Sequence, residues 1–305
     1  MPELPEVQTT VNGINKKLKG LTIRDVWTDY GSPFHTGKKN IKDSRYFLHF
    51  KKAVGGATIS HATRRAKNIL IHLLNNKTIL IHMKMTGHLL YGAYSFNKSA
   101  NAWVASGEGP LKDPRNKFIH LVFTLSNGKY LAFSDMRKFG KVFVEDSEKI
   151  ETHRDLAQIG PEPLTKEFTL QIFKDQIKKK PNRKIKQVLM DQSVVAGVGN
   201  IYSDELLWLS SVHPASTVKK IPSSHMKKIY LSLIEVLKKG IDFGGDSMSD
   251  YRNLEGERGR FQHTHNAYRL TGQRCKRDGC GGIITRIKIG GRSGHFCNRH
   301  QRFFK

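Results

Sequence analysis

The chain opens MPELPEV, and its second residue is the first with unusual chemistry. Within a polypeptide a proline nitrogen is an amide with no N–H. Once Met1 is removed, as is usual ahead of a small residue, Pro2 becomes the N-terminus and its nitrogen a secondary amine. An α-amino group has a pKa near 8, so part of it is neutral and nucleophilic at pH 7. Glu3, one peptide bond away, brings a carboxylate to the same end. At the other end, CKRDGC supplies Cys275 and Cys280, and CNRH supplies Cys297 and His300, with a hairpin-like GIITRIKIGGRSGHF between them. Two such pairs form the pattern of a small zinc finger, because thiolate and imidazole are the ligands of a structural tetrahedral Zn²⁺. Spacing selects His300 as the fourth ligand, with His295 as its rival. Four protein ligands leave no open position, so this metal would hold a fold together.

Three other stretches carry chemistry only in company. AGVGN (196–200) lies between two helical runs, where a glycine loop exposes N–H groups that suit a phosphate. GGRSGHF places Arg292 near the tip of the finger hairpin, and ATRRAKNI sets Lys67 between strand-like runs. SDMRKFG puts Arg137, Lys138 and Phe139 at a turn, an aromatic beside cations as a wedge into a base stack requires.

The elements that must position these residues are readable in outline. Val7, Val11, Ile14 and Leu18 recur at helical spacing, with basic residues and Gly20 to end the helix. Glu3 therefore precedes a helix N-terminus, where the dipole favours an ionised carboxylate. From residue 21 to 145, TIRDVW, RYFLHF, TILIHMKM, KFIHLVFTL, KYLAFSDM and KVFVED read as strands of a sandwich or barrel, with turns at Asn75-Asn76 and Ser126-Asn127-Gly128. The stretch YSFNKSANAWVASGEGPLKDPRNK reads as a long loop. Helical patterning takes over from Thr165, the expected cap of the first helix, to Gly240; Ser223 or Ser224 caps the last helix. A glycine- and arginine-rich segment then leads to the cysteines.

Among 305 residues, 52 Lys+Arg stand against 26 Asp+Glu, a formal charge of +26, and the partner this suggests is a polyanion. No apolar run long enough to span a membrane occurs, and Glu3 and Glu6 argue against a signal peptide. Three cysteines clustered at one end do not make a disulfide framework. The expected compartment is the cytoplasm or nucleoid, with no membrane partner and a monomeric chain.

Taken in order, PELPEV, RRAKNI, IHMKMTGHL, SDMRKFG, VLMDQSVVAGVGNIYSDE and GGRSGHFC resemble the formamidopyrimidine-DNA glycosylase family over nearly the whole chain. The resemblance implies an α+β fold: an N-terminal β-sandwich flanked by helices, a helix–two-turn–helix domain and a zinc-finger β-hairpin. It implies domains at 1–148, 153–250 (followed by a lesion-capping segment) and 270–305. It implies a bifunctional glycosylase and abasic-site lyase acting on double-stranded DNA with oxidised bases or abasic sites. Pro2 would form a Schiff base at C1′ of the damaged nucleotide, Glu3 would act as general acid and base, and Lys67 would contact phosphate beside the lesion and assist the chemistry. Asn200 and Arg292 resemble the phosphate-gripping residues, and Lys186 a basic position near the lesion. Met85, Arg137 and Phe139 match residues that fill the gap left by a flipped-out base. Leu4 and the segment GDSMSDYRNLEGERGRFQHTHNAYRLTGQRC fit the branch directed at 8-oxoguanine and formamidopyrimidines, the latter as a mobile lid. The alternatives are the endonuclease VIII-like activity on oxidised pyrimidines and an inactive damaged-DNA binder. The finger departs from the family's usual four cysteines with two-residue gaps.

Overall fold

The apolar stripe of α1 (Leu4–Lys17) is buried along its whole length through Val7, Val11 and Ile14, and it anchors the first half of the fold. In this computed structural model, which describes residues 1–305, the chain divides into two units, Met1–Ala157 with Phe243–Arg260, and Gln158–Asp242 with Phe261–Lys305. After α1 the first unit runs β1 (Ile23–Thr28), α2 (Ser44–Val54), β2 (Ile59–Arg65), β3 (Asn68–Leu73), β4 (Lys77–His82), β5 (His88–Gly92), β6 (Tyr94–Asn97), β7 (Ala102–Ala105), β8 (Ile119–Leu125), β9 (Tyr130–Ser134) and β10 (Lys141–Asp146).

Eight of these strands form two four-stranded sheets, ordered β1-β8-β9-β5 and β10-β4-β3-β2, with antiparallel pairing throughout. Alternate residues face inward, as the two-residue side-chain period of a strand requires. Ile69, Ile71 and Leu73 of β3 share one core with Leu121, Phe123 and Leu125 of β8 and with the α1 stripe. Asn15 fastens α1 to β2 by donating to Ala62 O (2.9 Å) and accepting from Ala62 N (2.7 Å).

Two expectations fail here. RYFLHF is not a strand but the body of α2. Asp43 caps it by accepting from Tyr46 N at 2.9 Å, and Phe50 and Val54, one helical turn apart, enter the core. The 94–117 loop instead contains the β6–β7 hairpin. Its aromatics cover the outer face of the β1-β8-β9-β5 sheet: Trp103 lies 4.9 Å from Tyr130 and 6.3 Å from Trp27, over Leu90, Val122 and Ala132.

The second unit holds α3 (Leu170–Lys178), α4 (Ile185–Leu189), α5 (Asn200–Leu209), α6 (Ser223–Asp242) and a hairpin of β11 (Ile284–Ile289) with β12 (Arg292–Cys297). Thr169, not Thr165, caps α3, accepting from Ile172 N at 3.3 Å. No helix is long and apolar enough to cross a membrane.

One buried histidine supports the returning segment 243–260. Asn116 donates its amide to Pro110 O (2.8 Å) and Gly256 O (3.2 Å), so its Oδ1 must accept from His88 Nε2 at 2.9 Å. Gly256 has φ +87° and a Cβ there would lie 2.8 Å from Asn116 Nδ2, so only glycine fits. Burial pushes the His88 pKa down to about 4. Its contribution to stability is therefore complete above the ordinary histidine value of about 6.5. It is lost as pH falls from there towards 4, because the unfolded chain takes up a proton that the native state refuses. A His88→Gln variant, compared with wild type by urea unfolding between pH 7 and pH 4.5, should lose stability less steeply on acidification; parallel curves would contradict this.

Candidate active site and nucleic-acid interface

The first turn of α1 is held from two sides. Glu3 is the N-cap, with extended backbone (φ −106°, ψ −169°), and it is 2% exposed. Its backbone N–H donates to Glu6 Oε2 at 2.7 Å, while Glu6 Oε1 accepts from Asp246 N at 2.7 Å. Tyr251 Oη donates to Glu6 O (3.0 Å), and so does Thr10 Oγ1 (2.9 Å). Pro5, near the helix start, removes an N–H that has no partner within the helix. Gly245 makes the clamp possible: it has φ +84°, and a Cβ there would lie 2.9 Å from Glu6 Oε1. Pro2 is buried at the head of this turn.

Lys67, 7% exposed, sits in the β2–β3 turn, where Ala66 has φ +52°. Arg64 braces the turn, donating to Ala66 O at 3.0 Å and to Gln8 Oε1 of α1 at 3.0 Å. Asn68 closes it by donating to Arg65 O at 3.1 Å.

Met85 and the pair Arg137 and Phe139 are distant in sequence, Met85 and Arg137 being 52 residues apart, yet they come together on the surface. Arg137 Nη1 donates to Met85 Sδ at 3.2 Å, and its guanidinium stacks 4.4 Å above the Phe139 ring. Met85 and Phe139 are 39% and 48% exposed, unusual for large apolar side chains and suited to insertion between bases. Asp135, fully buried and not singled out by the sequence reading, organises both loops. It accepts from Thr86 Oγ1 (2.5 Å), Tyr30 Oη (2.9 Å) and Gly140 N (2.7 Å), and Thr86 Oγ1 in turn accepts from Arg137 N (3.2 Å). Burial and the Asp135 carboxylate push the Tyr30 phenol far above its ordinary pKa, so it stays a donor.

In the second unit, Asn200 starts α5 behind Gly199, which offers no side-chain cap. The positive end of a helix dipole at such a start favours an anion, and Asn200 Oδ1 has no hydrogen-bond partner. Gln192 shapes the preceding loop by donating to Met190 O (2.9 Å) and Val198 O (2.8 Å) and accepting from Gly197 N (2.9 Å). Arg292 is exposed at the start of β12 and lines a cavity of about 680 Å³ with Lys179, Lys180, Arg183 and Gln187.

Lys186 lines the same cavity, but its ammonium is bound within the protein. It is 1% exposed, and its ammonium donates to Asp204 Oδ1 (2.6 Å), Ser203 Oγ (2.8 Å) and Asn200 O (3.2 Å), which uses all three protons. Asp204 Oδ2 accepts from His295 N (3.0 Å) and pairs with His295 Nδ1 (2.8 Å). The network joins the start of α5 to the hairpin carrying Arg292. Glu205, the next residue, accepts from the backbone N–H groups of Asn266 (2.8 Å), Ala267 (2.9 Å) and Tyr268 (2.8 Å).

The donor atoms of Cys275, Cys280, Cys297 and His300 all lie within 4.8 Å of one another. His300 Nδ1 is 3.4 Å from Cys275 Sγ and 3.5 Å from Cys280 Sγ, and the Cys280 and Cys297 sulfurs are 3.5 Å apart. A tetrahedron with Zn–S bonds of about 2.3 Å has edges of roughly 3.8 Å, so the set fits that ion. His300 Nε2 lies 3.0 Å from Trp208 O, which fixes the proton there and leaves Nδ1 as a lone pair. Burial also lowers the His300 pKa, favouring the neutral ligand form. Trp208 Nε1 donates to Cys275 Sγ at 3.3 Å. His295, the rival, is committed to Asp204.

Family profiles match the three parts: the formamidopyrimidine-DNA glycosylase N-terminal domain over residues 1–142, its H2TH domain over 159–252, and a zinc finger found in FPG and IleRS over 272–299. The formamidopyrimidine-DNA glycosylase of Desulforamulus reducens is 34% identical over 302 residues, covering 99% of each chain. That of Bacillus subtilis is 33% identical over 304 residues, again with 99% of each covered. Among solved structures, the Lactococcus lactis Fpg in complex with DNA containing an abasic site superposes with a TM-score of 0.80 at 31% identity, over 97% of both chains. A variant of the same enzyme bound to Fapy-dG DNA also gives 0.80, covering 97% of this chain and 98% of that one. Full-length identity above 30%, the shared α+β architecture and a cysteine–histidine set fit for one structural zinc place this chain in the formamidopyrimidine-DNA glycosylase family.

Proposed function

We propose that this chain is a base-excision repair enzyme that removes oxidised purines, 8-oxoguanine and formamidopyrimidines, from duplex DNA and then cleaves the abasic strand as a lyase. The observation that carries the reading is the start of α1, where Pro2 and Glu3 head a helix whose first turn Glu6 fixes from two sides. Removal of Met1 is part of the reading. The neutral Pro2 nitrogen adds to C1′ as the bond to the base breaks, and the base leaves with a proton. Glu3, as general acid, protonates the sugar ring oxygen while the C1′–O4′ bond opens. The product is an iminium on a secondary amine, which has no N–H to lose and stays cationic. It withdraws electrons from C2′, whose proton leaves as the C3′–O bond breaks; a second elimination breaks the C5′–O bond, and water then frees Pro2.

The remaining residues hold the substrate in this reading. A base within a duplex must be extruded before C1′ is accessible, at a cost of a few kcal/mol. Met85, Arg137 and Phe139 offset part of it by filling the vacated stack. Lys67, Asn200 and Arg292 meet phosphates, and Lys186 acts indirectly, by holding Asn200 and the finger. Residues 1–148 carry the chemistry, 153–250 the helical grip and 270–305 the finger. Cys275, Cys280, Cys297 and His300 would hold one zinc ion, which supplies a cross-link beneath the hairpin of Arg292. The enzyme works as a monomer in the cytoplasm, on the nucleoid during repair.

Borohydride should trap a covalent adduct between the chain and an 8-oxoguanine duplex, and a Pro2→Gly variant should lose most of it. Equal trapping by the variant, or none by the wild type, would contradict the mechanism. Metal analysis should find one zinc per chain, lost on His300→Ala but kept on His295→Ala. Zinc loss should weaken DNA binding at least tenfold, and unchanged binding by zinc-free protein would remove the finger from the interface.

A further inference from the structure

A second basic hollow lies in the N-terminal unit, behind the exposed wedge. It encloses about 240 Å³ and is lined by His35, Lys38, Lys42, Lys84, Lys141 and Arg154, with Phe139 and Gly140 at its edge. That is roughly eight water volumes, room for one phosphate group with part of its hydration. No carboxylate lines it. Lys141 is neutralised by Asp155, and Lys42 donates to Lys138 O at 2.6 Å. Lys38, Lys84 and Arg154 form no ion pair, although Asp155, already paired with Lys141, also feels the Arg154 charge.

Such a gathering is unfavourable in the free protein. Burial lowers the Lys42 pKa, and the charges of Lys84 and Lys38 lower it further, against the pull of Asp135. His35 is lowered likewise by burial and then by Lys42 and Lys38, and its Nδ1 is sealed from solvent without a partner. Lys84 also occupies the left-handed backbone region, φ +56°, with its N–H on His82 Nδ1 at 3.0 Å. A long cationic side chain in that conformation needs its surroundings to hold it there. The position ties it to the interface, since Lys84 directly precedes Met85 and Phe139 borders the same hollow.

We infer that this hollow is a phosphate-binding subsite that takes a backbone phosphate of the DNA duplex next to the inserted wedge, with Lys38, Lys84 and Arg154 as its principal contacts. The inference rests on the proposed glycosylase reading and adds to it a DNA contact separate from Lys67, Asn200 and Arg292. Free phosphate is the other source of the same chemistry, and the test separates the two.

The affinity for an undamaged duplex is measured across a series of KCl concentrations for wild type, Lys38→Gln/Lys84→Gln, Lys38→Arg/Lys84→Arg and the control Lys227→Gln/Lys228→Gln on α6. Loss of one phosphate contact makes the log–log salt slope shallower by about 0.9. That change is expected in the glutamine pair alone, with the arginine pair restoring the wild-type slope. Should the glutamine pair fail to fold, Lys38→Gln alone, at an exposed position, carries the test with a change of the same sign. A slope equal to wild type in the glutamine variant, or an equal change in the control, overturns the inference. Competition by inorganic phosphate at millimolar concentration, abolished in the glutamine pair without any change in DNA slope, would assign the hollow to the free anion and also overturn it. Wild-type borohydride trapping in the same preparations reports on the glycosylase reading independently.

Discussion

The reagent proposed for this chain is its own amino end, and a chain end is normally the least ordered part of a protein. The rest of the structure depends on suppressing that disorder. Glu6 does so with one carboxylate: Oε2 takes the N–H of Glu3 and Oε1 takes the N–H of Asp246. The first bond closes the helix start locally. The second reaches 240 residues along the sequence and makes the segment 243–260 part of the N-terminal unit. Glu6 is 1% exposed, so its charge is desolvated, and only good donors make that arrangement stable.

The same device recurs. Asp135, Asp204 and Glu205 are buried carboxylates, each accepting from several donors, which for Asp135 and Asp204 lie on different elements and for Glu205 on the consecutive residues 266–268. Asp135 sets the loops of Met85, Arg137 and Phe139. Asp204 joins the start of α5 to the finger hairpin, and Glu205 holds the chain at 266–268. A buried carboxylate left with unpaired charge is costly, so each hub tolerates few alternative arrangements. This gives an exposed surface of mobile-looking types, such as Met, Arg and Phe, a fixed scaffold beneath it.

How far the sequence discloses this depends on range. The stripe Val7, Val11, Ile14 specifies α1 because every partner of the pattern is local, and the cysteine spacing specifies the finger because ligand chemistry admits few sets. RYFLHF misleads because its β-rich composition outweighs, on inspection, the Asp43 cap and the four-residue step from Phe50 to Val54. The β6–β7 hairpin is hidden in polar residues, and its purpose appears only when Trp103 meets Trp27 and Tyr130 across the sheet. Lys186 shows the limit most clearly. The resemblance implies a basic position near the lesion, but the partners of its ammonium, Asp204 and Ser203, are not signalled by any local pattern. Asp135, and the hub role of Glu6, escape notice for the same reason, since a carboxylate becomes a hub only through donors distant in the chain.

The central claim is that a free Pro2 nitrogen bonds to deoxyribose. Mass spectrometry of the borohydride-reduced protein–DNA adduct after proteolysis and nuclease digestion tests it most directly. The account predicts a mature chain lacking Met1, with the sugar remnant on the N-terminal peptide at Pro2. A remnant on Lys67 or another lysine, or a fully active chain that still carries Met1, would contradict it.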